Sequence, residues 1–329
     1  MLTRGLWIYI AQRVLLIGFT VLTVSFGVFV AVHSLPGNAF ISDRVHGAAL
    51  QRLLHLYGLD QPILIQYWDF LKGVPGCATQ GCYGAIHGDL GISFVQRNQP
   101  ITPVVLRELS VSSELGGTAL LITVGLGVTF GVLAAIRQNT WIDYFLTTLA
   151  VIFYSVPSFV LASLGLIIFA QFLPSITGGV ISYPAVWDGT YGTIAELSLP
   201  AIVLGLYTSG QVTRITRASM LETIQQDYVR TARAKGVRNP VVTMRHAFRN
   251  ALIPVVSILG PLIISVITGA VVIENIFGIP GLGKEFVSSI TTHDYNVTTG
   301  VFTIYAALIG VANLGVDVLY AVIDPRIRY

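Results

Sequence analysis

The chain has 329 residues, 53% of them hydrophobic and only 11% charged, with a formal net charge of +3. A soluble domain carries about 25% charged residues, so there is too little charge to clothe a water-facing surface of this size. A soluble globular protein is excluded, and two cysteines are too few for a disulfide framework.

Runs of roughly 20 apolar residues, the length that crosses a bilayer core as a helix, recur along the chain. In chain order they predict six spans, at about 8–33, 115–136, 144–173, 197–212, 251–273 and 301–323. The first run outlasts the core of a signal peptide, and no small-x-small site follows it, so it reads as a transmembrane helix. The fold class is therefore an all-α polytopic membrane protein. Its parts are an N-terminal helix (1–34), a non-membrane segment (35–113), a transmembrane core (114–323) and a short tail (324–329).

Lys and Arg set the orientation. With the N-terminus inside, 13 of the 19 basic residues fall on inner segments, and the short outer loops hold only Lys284. The remaining five lie in segment 35–113, which is too long for the positive-inside count. Both termini are expected to be cytoplasmic. Segment 35–113 is then extracytoplasmic, long enough for a small folded cap. Cys77 and Cys82 flank "ATQG" within it, on the oxidising side, compatible with a local disulfide or with two free thiols.

Between the fourth and fifth spans lies the basic cytoplasmic stretch 214–250, with eight Lys/Arg against Glu222 and Asp227. It reads as helix, turn, helix. A first helix covers about 218–235, Gly236 stops it, Asn239 caps the next and Pro240 takes its first position. Val241, Met244 and Phe248, at i, i+3 and i+7, give the second helix an apolar edge. One reading is an interfacial helix pair whose Arg heads meet anionic lipid. The other is a rigid docking element for a cytosolic partner.

"GIPGLGKE" at 278–285 approaches a phosphate-binding loop, but Glu285 stands where Ser or Thr would hold Mg²⁺ and Pro280 removes an N–H donor. Its expected place outside the membrane also argues against nucleotide. It reads as a tight turn returning the chain into the sixth span.

Few ionisable groups lie inside the spans, and such groups are functional candidates. Asp317 is the best placed, in a buried polar role, and Glu114 lies only at the edge of the second span. Ser155, Pro157 and Ser158 break the third span, and Gly205, Ser209 and Gly210 punctuate the fourth. The six histidines form no metal or catalytic set.

"DYVRTARAKG" followed by "RHAFRNALIP" resembles the peptide-transporter form of the EAA loop of ABC importer permeases. The general pattern is Glu-Ala-Ala, three residues, then Gly. Gly236 matches the glycine, Ala232 and Thr231 stand at the two alanines, and Arg230 departs at the glutamate. "LPGN" at 35–38, "HGDLGISF" at 87–94, "IPGLG" at 279–283 and "DVLYAVIDPRIRY" at 317–329 resemble the same branch in the same order. The chain is most similar to the first membrane subunit of dipeptide and oligopeptide importers, and nickel importers look alike at this level.

The resemblance implies a type I ABC importer permease fold with six transmembrane helices, forming half of a path for peptides. It makes Asp227, Tyr228, Arg230, Thr231, Ala232, Arg233, Ala234, Lys235 and Gly236 the ATPase-coupling segment. Implied partners are a second permease, two cytosolic ATP-binding subunits, an extracytoplasmic solute-binding protein and the lipid bilayer, but no nucleic acid. The chain itself is expected to have no catalytic residue, cofactor or metal, with ATP and Mg on the partner ATPases. An ion-coupled secondary transporter is disfavoured by the scarcity of buried acids and of inverted repeats. An intramembrane enzyme lacks a Ser/His or His-Glu-x-x-His set.

Overall fold

The computed structural model describes residues 4–37, 40, 47–73, 83–96, 99–180, 182–183, 187 and 193–323. Among them every regular element is helical, apart from one isolated bridge between Ile92 and Pro100. Helix α1 (Arg4–His33) is followed by α2 (Ala48–Leu56), α3 (Ile63–Lys72), a single 3₁₀ turn (Ala85–His87) and α4 (Ile101–Ile136). Then come α5 (Trp141–Ser155) and α6 (Ser158–Gly165), which runs through a π-helical stretch (Leu166–Phe172) into α7 (Leu173–Thr177). Helix α8 (Thr193–Ile224) leads to α9 (Asp227–Ala234). The next run is α10 (Asn239–Val241), a second π-helical stretch (Val242–Phe248) and α11 (Arg249–Ser257). After it come α12 (Leu259–Phe277), α13 (Leu282–Thr291) and α14 (Tyr295–Ile323).

Five helical segments among the described residues are long and apolar enough to cross a membrane: Ile8–His33, Ile101–Ile136, Ser158–Thr177, Leu259–Phe277 and Tyr295–Val318. The all-α membrane class holds. The expected fourth span lies within α8, whose two ends are polar. The expected third span is realised as two pieces. Val156 is extended at φ −81, ψ 125, because the ring of Pro157 crowds the α conformation of the residue before it. The fifth span is also broken, at Ile258 between α11 and α12. Pro261 has no N–H to close on the Ser257 carbonyl and is accommodated in the first turn of a new helix.

Helix α12 ends at Gly278 in the left-handed region (φ 67), and Ile279 N–H returns to the Glu274 carbonyl at 2.9 Å. The simple turn expected over "GIPGLGKE" is instead a helix stop followed by a new helix, α13. Leu282 is fully buried and its N–H donates to Ser112 Oγ at 2.9 Å.

The chain forms two compact units. The first comprises residues 1–112 and 280–314. Its core is Phe29, Phe70, Leu90, Ile101, Val105, Leu282, Val297 and Val301, with Tyr67 and Leu71 packed against it. Asp294, at the N-terminus of α14, accepts from the Ser93 hydroxyl and from the N–H groups of Val95 at 3.3 Å and Phe94 at 3.4 Å. It also accepts from Val297 N–H at 3.4 Å, the third residue of the helix and so a capping contact.

The second unit comprises residues 113–279 and 315–328, with α8 at its centre. Helix α4 meets α8 through glycine. A Cβ on Gly127 would stand 2.5 Å from the Val212 Cβ, and one on Gly131 2.5 Å from the Thr216 Cβ. Small residues at that spacing let two apolar helices approach closely where no hydrophobic effect drives them together. Thr123 and Thr208 add a hydroxyl pair at 2.5 Å across the same contact.

Candidate functional site

The basic stretch after α8 lies in the second unit, and its geometry follows from three local features. The first is the break between α8 and α9. One helix over 218–235 is expected from composition, but Gln226 is extended (φ −67, ψ 148) and the chain turns there. Gln225 and Gln226 are good helix formers, so the break is not local in origin. The turn brings Val229 and Ala232 of α9 onto Val242, the three forming a small buried cluster.

The second feature is the end of α9. Gly236 has φ +78, its N–H returns to the Arg233 carbonyl at 3.0 Å, and Val237 N–H returns to Ala232 at 3.3 Å. This pair of bonds is a Schellman stop, which needs a left-handed residue after the helix cap. Gly236 supplies it.

The third is the π-helical stretch Val242–Phe248, which moves the buried face. Of the edge expected at Val241, Met244 and Phe248 only Phe248 packs, half-buried against the cluster of Ala135, Met220 and Ala251, while Val241 is 42% and Met244 53% exposed. The buried residues are Val242, Ala247 and Ala251 instead. Spacings of five and four in place of three and four are what a wider i→i+5 turn produces. Asn239 is accordingly the first residue of α10 and Arg238 holds the cap position.

The coupling-segment candidates therefore divide. Ala232 is buried with Val229, whereas Asp227, Tyr228, Arg230, Thr231, Arg233, Ala234, Lys235 and Gly236 face outward. Arg230 and Asp227 approach only to 3.9 Å, both well exposed, a pair worth little by itself. Tyr228 is held in place by Asn250 Nδ2, which donates to its hydroxyl at 2.8 Å. The result is a rigid helix with cations on its free face and Tyr228, Val237, Val241 and Met244 as exposed apolar neighbours.

Behind this helix stands an ion pair that the sequence reading missed. Arg217 of α8 donates twice to Asp143 of α5, Nε to Oδ1 at 2.6 Å and Nη2 to Oδ2 at 2.8 Å. Asp143 also accepts from Asn139 N–H at 3.0 Å and is buried. Helix α5 also packs closely on α8 at Gly210, where a Cβ would meet the Ala150 carbonyl at 2.3 Å. Together these contacts make α5 and α8 one stiff pair leading into α9.

Asp317 is half-buried in α14. Besides Asp143 and Asp294, the more deeply buried acids among the described residues are Glu196, Glu274 and Glu108. Glu196 and Glu274 fall one residue outside the predicted spans 197–212 and 251–273, because a charge is what ends a hydropathy window. Cys77, Cys82 and the tail 324–329 lie outside the described residues. Among the described residues no group of three or more His, Cys, Asp or Glu could hold a metal ion.

In comparisons with known proteins, residues 127–329 match the family described as "Binding-protein-dependent transport system inner membrane component". Residues 6–115 match its N-terminal counterpart. The chain is 38% identical over 312 residues to the oligopeptide transport system permease protein OppB of Escherichia coli (strain K12), covering 94% of this chain and 95% of that one. It is 36% identical over 321 residues to the dipeptide transport system permease protein DppB of Bacillus subtilis (strain 168), covering 97% of each. A crystal structure of an amino acid ABC transporter with histidines aligns at a TM-score of 0.50 and 18% identity, over 69% of this chain and 95% of that one. That likeness bears on the fold alone.

Proposed function

The chain belongs to the family of binding-protein-dependent transport system inner membrane components, the membrane permeases of ABC importers, and on that footing we propose that the solute it carries is a peptide. It is a multi-pass permease subunit of a larger transporter assembly. The peptide reading rests on similarity over nearly the full chain to oligopeptide and dipeptide permeases.

In this reading a second permease completes the path, two ATP-binding subunits dock on the cytoplasmic side, and an extracytoplasmic solute-binding protein delivers the peptide. The N- and C-termini and stretch 214–250 are cytoplasmic. ATP and Mg belong to the partner subunits, where hydrolysis takes place.

The observation that carries the coupling role is α9: a short helix, closed by Gly236, packed through only Val229 and Ala232 and otherwise exposed. Such a helix presents Tyr228, Arg230 and Arg233 to a partner without rearranging. Closure of the ATPases around ATP would push α9, and the Asp143–Arg217 pair would carry α5 along with α8. In energetic terms, nucleotide binding biases a membrane unit with two arrangements, by as much as its affinity differs between them.

The test is to tag the chain, solubilise it gently and identify what copurifies by mass spectrometry, then reconstitute the assembly and follow labelled peptides. A second permease, P-loop ATPases and ATP-dependent peptide uptake are expected. A solitary chain that moves solute without ATP would overturn the reading.

A further inference from the structure

We infer that α3, although it belongs to the segment between the first two spans, lies within the membrane leaflet at the C-terminal end of α1 and faces lipid acyl chains. The inference concerns the first unit alone and does not depend on which solute is carried.

The first observation is the distribution of side chains on α3, "ILIQYWDFLK". Ile63, Tyr67, Phe70 and Leu71 pack into the core of the first unit. A water-facing helix would carry polar residues on the remaining surface. Instead Leu64 is 65%, Ile65 46% and Trp68 53% exposed. Gln66 turns its amide back to the chain, donating to the Gln61 carbonyl at 2.7 Å and the Leu59 carbonyl at 3.3 Å. Asp69 is half-buried and lines a cavity with His33 and Gln66, so the free face left between Leu64 and Trp68 is apolar, as on a helix out of water.

The second observation is depth. From Val14 to Val32, α1 carries no ionisable residue. Those 19 residues span about 28 Å at the α-helical rise, close to the roughly 30 Å thickness of the hydrocarbon core. Tyr67 of α3 meets α1 well inside that stretch. Its hydroxyl lies 2.6 Å from Ser25 Oγ and 3.2 Å from the Leu22 carbonyl, and its ring packs 5.0 Å from Phe26 and 5.4 Å from Phe29. Ser25 precedes His33 by eight residues, about 12 Å along the helix. Tyr67 therefore reaches below the headgroups, and Trp68 is its chain neighbour.

The third is continuity. The exposed side chains of α1 include Leu15, Phe19, Leu22 and Phe26, the surface a membrane-spanning helix offers to lipid. The face of Leu64, Ile65 and Trp68 extends that apolar surface. At its end Lys72 sets its ammonium 4.5 Å from the Trp68 ring centroid, the pairing of an aromatic belt residue with a lysine that snorkels toward headgroups.

The test uses the assembled transporter in bilayers containing phosphatidylcholine brominated on its acyl chains, with Trp7, Trp141 and Trp187 changed to Phe so that Trp68 is the one emitter of this chain, and the emission of the same assembly with Trp68→Phe as well is subtracted to remove that of the partner subunits. A matched control carries Phe19→Trp on α1 with Trp68→Phe. Brominated lipid is expected to quench Trp68 as strongly as the control, with little quenching by aqueous acrylamide. In the chain that keeps the other three tryptophans, Trp68→Phe should lower the lipid-quenchable share of emission. Quenching of Trp68 by acrylamide alone would place α3 in water, and quenching by neither agent would place it under a protein partner. Either result overturns the inference. An unquenched control would overturn the membrane placement of α1, and that of α3 with it.

Discussion

Gly236 holds φ +78 with no heavy atom within 4 Å of where a Cβ would stand. Any cost of replacing it is therefore backbone strain alone, about 1–2 kcal/mol for an ordinary residue in the left-handed region. Asn tolerates that region and a β-branched residue does not. Gly236→Val should lower solute moved per ATP hydrolysed, while Gly236→Asn stays near the parent. Equal behaviour of the two would separate the Schellman stop from coupling. Asp294 gives a second prediction at this scale. Burial raises its carboxyl above the ordinary range, and the Ser93 hydroxyl and surrounding amides oppose this only in part. Nearby Glu285 is raised as well, first by burial and then by the charge of Asp294. Folding thus favours the protonated forms. Their contribution is fully present below the ordinary carboxylate value and is lost as pH rises through the raised one. Thermal stability should increase from neutral to mildly acidic pH, and Asp294→Asn should flatten that slope. Gly236 and the basic cluster were legible in the sequence; Asp294 was not, because the donors from Ser93, Phe94 and Val95 lie some 200 residues away.

At the scale of elements, the helices follow apolar runs, so their existence and order could be read directly. Where the reading fails, the backbone departs from a 3.6-residue turn or tertiary contact overrides propensity. The π-helical stretch 242–248 hides its packed face from a search at helical period, and the bend at Gln226 has no breaker to announce it. Close packing was legible only as composition: Gly205 and Gly210 were noted without knowing what they touch. Gly131 and Gly125 offer the test. A Cβ on Gly131 would also stand 2.8 Å from the Thr213 carbonyl, whereas one on Gly125 meets nothing within 4 Å. Gly131→Ala should destabilise the purified chain by about 1–3 kcal/mol, as overpacking does. Gly125→Ala should be neutral or gain up to about 1 kcal/mol from helix propensity. Melting curves in detergent would distinguish them, and two equal curves would mean α4 and α8 do not meet this way.

For the molecule as a whole, membrane class was written in the scarcity of charge, and family in short motifs strung along the chain. Distant pairings such as Arg217–Asp143, which brace the second unit, were invisible because neither partner is unusual in its own surroundings. Orientation rests on Lys and Arg counts. Val237 follows Gly236 and is exposed, so Val237→Cys, with Cys77 and Cys82 changed to Ser, should react with an impermeant maleimide only after the membrane is opened. Labelling in intact cells would invert the topology.

Helix α8 does not stop where its apolar stretch stops. Arg214, its guanidinium 5.7 Å from the Tyr154 ring centroid, and Arg217 mark the polar end, and the helix continues from Ala218 to Ile224 before α9 begins. Those seven residues amount to about 10 Å, longer than the roughly 8 Å over which physiological salt screens a charge. In the proposed topology the arginines of α9 would then stand about one screening length beyond Arg217. An acidic partner surface brought up from solution would meet their positive potential there, and an encounter so steered would slow as salt is added.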